Sequence, residues 1–146
     1  MATVELRFSA LPEHVRTARL VAAAVARRAG VDEAVLDEVR LAVGEACSRA
    51  VGLHQSSGIT APVKVALIEE EKQFSIEVGD EVPHAAPRDG EPGAAVDDPD
   101  AEAEEDEMGL AVISGLVDDV EVSTGEHGGL IRMTWPTTPP PAAPLP

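Results

Sequence analysis

Glu45 and Arg49 stand four residues apart in the stretch LAVGEACSRAVGLH, Leu41 to His54. On a helix that spacing puts a carboxylate and a guanidinium on one face. A carboxylate can take a proton from an attacking group. A guanidinium has five donors and no acceptor, and it suits a phosphate or a carboxylate. Glu before Arg at this spacing is also a plain helical ion pair, worth about 0.2–0.5 kcal/mol. The residues alone leave three readings open: an ion pair, a direct grip on an anion, or a part in catalysis. Cys47, the only cysteine, excludes an internal disulfide and reads as a small packed hydrophobe beside the apolar face of the same helix. The histidines at 14, 54, 84 and 127 have no metal-ligand spacing with it, so no metal site is expected.

The elements that must position these residues follow from hydrophobic period. TVELRFSA, Thr3 to Ala10, alternates Val4, Leu6 and Phe8 with polar or small residues, a half-buried strand. Pro12 and Glu13 open a helix, Arg27 and Arg28 suit its last turn, and Gly30 stops it. Its apolar side would be Val15, Leu20, Val21, Ala24 and Val25. Asp32 would cap a second helix, on which Val35, Val39, Ala42, Val43, Ala46 and Ala50 recur at three- and four-residue steps. GLHQSSGITAP reads as a loop. Val63–Glu70 and Gln73–Val78 alternate and read as an antiparallel hairpin. A short helix, MGLAVISGLVDD, then precedes two strands, VEVST and GLIRMTW, joined at GEHGG. Helices and strands come in blocks, which predicts an α+β two-layer sandwich: a mostly antiparallel sheet with helices on one face.

Two segments break the pattern. Between Asp89 and Glu107 there are ten acidic residues and no basic one. Such a segment buries too little apolar surface to offset its ordering entropy, so 79–107 is expected to be a mobile loop or a disordered insertion. PTTPPPAAPLP holds six prolines in eleven residues, so 136–146 is expected to be an extended tail. The domain would be 3–135. At 146 residues and 44% hydrophobic, with two Phe, one Trp and no Tyr, the core must be aliphatic. A formal charge of −16 argues against nucleic acid and anionic membrane as partners. The lone cysteine, the lack of a basic start and apolar middle at the N-terminus, and the lack of a bilayer-length apolar run make the cytoplasm the expected location.

The segments EVRLAVGEACSRAV, IEVGDEVP and MGLAVISGLVDDVEV…GGLIRMTW, in this order, resemble the RsbW-type anti-sigma factors. These are serine kinases of the GHKL, or histidine-kinase-like, ATPase superfamily. The resemblance covers Thr3 to Trp135 and implies a Bergerat-type nucleotide fold. It places Glu45 at the family's glutamate, which helps position or deprotonate the attacking group. It places Arg49 where the family has an asparagine whose oxygen binds Mg²⁺. Magnesium wants hard oxygen ligands. A fixed +1 at about 5 Å from a +2 ion, at an effective dielectric near 20, costs about 6–7 kcal/mol before relaxation. The family's Asp-x-Gly-x-Gly, which receives adenine, becomes DEVPH here: Asp80 stays, while Val82 and His84 replace the glycines and Pro83 lies between. By its residues alone Asp80 reads as a turn or edge residue. The family's glycine pair that cradles phosphate at a helix start becomes EMGL, with Gly109 kept and Glu107 in place of the first glycine. The late glycines remain as Gly128 and Gly129, and Leu130 replaces the hydroxyl.

The acidic loop would be the lid over an anionic nucleotide. The resemblance implies a regulatory module that binds an anti-anti-sigma factor of the STAS type, a sigma factor, or both, and the departures imply that its ATP binding and kinase activity are lost or strongly reduced. No cofactor and no catalytic residue are then expected, with Glu45 kept only as the general-base position. The alternative is a working serine kinase that uses ATP and Mg²⁺. The resembled family also implies a homodimer through the first strand and helix, and partner contact through that helix, where Arg16 and Arg19 are the candidate contact residues. If 79–107 is a lid without a core of its own, deleting Asp89–Asp106 leaves the melting temperature within about 2 °C of the parent. A larger fall in a thermal denaturation scan would show that the segment carries part of the fold.

Overall fold

The computed structural model describes residues 2–83, 111–117 and 119–137. Gly109, His84, Glu107, most of the acidic loop and most of the proline-rich tail lie outside the described residues. Strand β1 (Ala2–Phe8) leads into helix α1 (Pro12–Ala29), a 3₁₀ turn (Glu33–Val35) and helix α2 (Leu36–Ser56). Strands β2 (Val63–Glu70) and β3 (Gln73–Asp80) form a hairpin, and β4 (Asp119–Gly125) and β5 (Gly128–Pro136) form another. Residues 111–116 are helical. Among the described residues the sheet has five strands in the order β1-β2-β3-β5-β4, and every pairing is antiparallel. This is the expected α+β sandwich, with both long helices on one face.

α1 starts with Pro12 in its first turn, where the missing N–H costs nothing. It ends at Gly30, whose φ of 102° only glycine adopts freely, with Val31 N–H returning to the Ala26 carbonyl at 3.0 Å. Its buried side differs from the expected stripe. Val15, Ala18, Ala22, Ala23 and Ala26 are buried, whereas Leu20 is 58% exposed and Ala24 is exposed. The cause is the neighbour: α1 packs mainly on α2 rather than on the sheet, and small alanines let two helix backbones approach closely. Asp32 caps the 3₁₀ turn, accepting from Ala34 N–H, rather than α2 itself.

α2 also runs further than expected. Gly52, Leu53 and His54 are helical and the loop begins only after Ser56. The buried face of Val39, Ala42, Val43, Ala46, Cys47, Ala50 and His54 keeps its period across Gly52 and lies over β3, and that packing outweighs glycine's poor propensity. Along β3 the residues Phe74, Ile76, Val78 and Asp80 are buried on the helix side, opposite Trp135, Met133, Ile131 and Gly129 of β5. The other side of the sheet carries polar rows, including Glu77 opposite Arg132, and Arg132 donates to Glu70 at 3.1 Å. Among the described residues no helix is long and apolar enough to cross a membrane.

Cys47 is fully buried in this core, and burial pushes its thiol up from 9.0 to about 12. The thiolate is the reactive form, so the folded protein is expected to leave Cys47 untouched by a colorimetric thiol reagent at pH 8, with full reaction on unfolding. The shift also has a stability sign. Its contribution is present below about pH 9 and is lost as pH rises towards 12.

Candidate functional site

The last residue of β3 is the centre of the site. Asp80 is buried at the end of this strand. Its Oδ1 accepts from Val82 N–H at 3.0 Å and from Gly129 N–H at 3.2 Å. Its Oδ2 lies 4.0 Å from Nη1 of Arg49, and the two side chains are 3% and 9% exposed. Two turns of sequence logic put these groups together. α2 lies over β3, so an inward residue near its middle reaches the end of that strand. β5 pairs with β3 in a register that sets Gly129 opposite Asp80.

Gly128 completes the arrangement. Its φ is 131°, and a Cβ there would stand 2.0 Å from the Asp80 carbonyl oxygen. Only a residue without a side chain lets β5 start this close to the end of β3. Of the residues singled out from sequence, Arg49, Asp80, Gly128 and Gly129 therefore come together. Glu45 does not join them. It is exposed on α2, and among the described residues it has no ion-pair partner. The expected helical pair of Glu45 with Arg49 is thus replaced by a contact across layers, because burial places Arg49 beside a carboxylate that needs a counter-charge.

Arg16 and Arg19 are exposed on α1. Gly44 of α2 leaves room for the Arg19 stem: a Cβ on Gly44 would stand 2.7 Å from Arg19 Cδ. Val82 is buried beside the site and Pro83 is exposed. Among the described residues no three His, Cys, Asp or Glu side chains gather in a way that could hold a metal ion.

Residues 8–135 match the histidine kinase-like ATPase domain. The chain belongs to this family. No curated protein matches the chain. Among solved structures, the RsbU and RsbW domains of Rv1364c from Mycobacterium tuberculosis are similar in fold, with a TM-score of 0.64 and 17% identity. The likeness covers 92% of this chain and 31% of that chain.

Sequence reasoning passed over His54. It is fully buried; its Nδ1 lies 2.9 Å from the Ala61 carbonyl, and Glu81 N–H donates to its Nε2 at 2.9 Å. The signal was present: His54 continues the period of Val43, Cys47 and Ala50 once the helix is carried past Gly52.

Two substitutions test the site's construction. Gly128→Ala adds both a strained φ and a backbone clash, and is expected to cost about 3 kcal/mol in a urea titration. Asp80→Ala strands the Arg49 charge and two amides, and is expected to cost a similar amount, about 3 kcal/mol. A loss under about 1 kcal/mol in either would show that the strand end is loosely held.

Proposed function

We propose that this domain is a regulatory module of the RsbW type that works by touching other proteins, with nucleotide binding and phosphoryl transfer lost or strongly reduced. The observation that carries the proposal is the Arg49 guanidinium set against the buried Asp80 carboxylate. Under the resemblance, Arg49 stands at the magnesium-binding position and Asp80 at the adenine-receiving one. A guanidinium supplies no lone pair to a divalent ion. Asp80 Oδ1 already receives two backbone amides, which leaves it poorly placed to receive an adenine amino group. The donor set does not fit a magnesium–triphosphate group, and Gly109 and Gly128–Gly129 alone do not change that chemistry. On this reading Gly128 serves the close approach of two strands.

The partners proposed are those of the resembled family: a STAS-type anti-anti-sigma factor, a sigma factor, or both, held stoichiometrically. Arg16 and Arg19, exposed on α1, are the proposed contact residues; the helix layer also exposes Leu20 and Leu41. A homodimer is proposed through β1 and α1; β1 lies at the sheet edge. Location in the cytoplasm follows from the same partners.

Isothermal titration with millimolar ATP and Mg²⁺, together with a radiolabel transfer assay on a STAS partner, tests the reading. No saturable heat and no labelled serine are expected. Magnesium-dependent saturation with labelled partner would establish the kinase instead, with Glu45 as its base. Arg49→Asn alone is expected to leave ATP affinity weaker than about 100 µM, because Val82 and His84 still occupy the glycine positions, with Pro83 between them and Glu107 at the phosphate cradle. Micromolar binding by that single variant would show that Arg49 was the whole obstacle.

A further inference from the structure

His54 is fully buried, and both of its ring nitrogens are engaged. Glu81 N–H is a donor, so Nε2 must be an acceptor, and the ring proton must then sit on Nδ1, where it donates to the Ala61 carbonyl. One neutral tautomer satisfies both contacts. The main chain of the same residue is tied as well: the His54 carbonyl accepts from Ile59 N–H at 2.8 Å. The ring thus bridges the loop after α2 to the point where the chain leaves β3.

Five residues earlier on the same helix, Arg49 lies beside Asp80. One face of α2 therefore grips two consecutive residues, Asp80 through its side chain and Glu81 through its main chain. Where the carboxylate of Asp80 points depends on the path of the backbone just after it, because Val82 N–H folds back onto Oδ1. We propose that His54 is a positioning residue, a latch that sets the exit of β3 and so turns the Asp80 carboxylate toward Arg49 and Gly129. This goes beyond the functional reading above and holds whether or not a nucleotide binds.

The test is amide hydrogen exchange by NMR on the full chain, in the parent, in His54→Leu and in His54→Gln. Leucine removes both contacts; glutamine offers one donor and one acceptor. In His54→Leu the Glu81 amide is expected to exchange about tenfold faster relative to the Ile76 amide in the middle of β3. Val82 and Gly129 are expected to follow, since both amides depend on the direction of the Asp80 carboxylate. Glutamine is expected to bring these rates back toward the parent. In the parent, imidazole ¹⁵N shifts should show a protonated Nδ1 and a bare Nε2. A merely structural role would raise exchange at Ile76 in parallel, and that result overturns the latch. So does a change confined to Glu81, a glutamine variant that behaves like leucine, or the opposite tautomer. If His54→Leu does not fold, the tautomer and the glutamine rates decide. None of these readouts involves nucleotide, so their failure is separate from failure of the functional proposal.

Discussion

A carboxylate taken out of water at the end of a central strand must be matched by charge and by hydrogen bonds, or the strand end cannot stay where it is. Asp80 meets that demand from three directions. Its own chain returns Val82 N–H, the neighbouring strand supplies Gly129 N–H, and the helix layer supplies Arg49. Each supplier constrains another part of the fold. β5 must begin close enough for Gly129 to reach, which requires a residue without a side chain at 128. α2 must cross β3 at a height that brings Arg49 over its last residue. The local charge balance and the packing of layers are in this sense one constraint.

The same constraint bears on chemistry. Under the resemblance, the end of this strand and the facing helix carry the positions that would meet adenine and Mg²⁺. Here the described groups at that place set a cation beside an anion, with two backbone amides on Asp80 Oδ1. Under the proposed protein-contact role the work falls on the exposed surfaces. Those surfaces differ in character. The open face of the sheet is polar and partly ion-paired, as at Arg132 and Glu70. The helix layer exposes Leu20 and Leu41 together with the arginines of α1.

α2 unites these features. Its inner face is apolar for most of its length and closes the core over β3. Near its middle and its end, that apolar run is interrupted by Arg49 and His54, and both interruptions meet the same short stretch of chain, residues 80 and 81. Polar groups in a buried face cost stability unless they are matched, and here the contacts of Arg49 and His54 are spatially adjacent. The arrangement ties the end of the central strand to one rigid helix.

Local chemistry determined much of this in advance. Alternation in β2, β3 and β5 depends only on a two-residue period, and Pro12 and Gly30 bound α1 through their own backbone preferences. Block order of helices and strands predicted the sandwich, and the spacing of apolar residues predicted the inner face of α2. Tertiary structure decided the rest. Leu20 lost its place in the core because α1 lies mainly against a helix rather than against the sheet, and four of its five buried residues are alanines. Gly52 stayed helical because the buried face on either side of it outweighs glycine's local cost. Arg49 turned from Glu45, four residues away in sequence, to Asp80, thirty-one residues on (80 − 49), because a pair on the helix surface gains little in water while a buried carboxylate requires a partner. His54 gained its role only when the loop after α2 and the end of β3 came together around it, and sequence period alone carries no information about which backbone groups will meet a side chain in space.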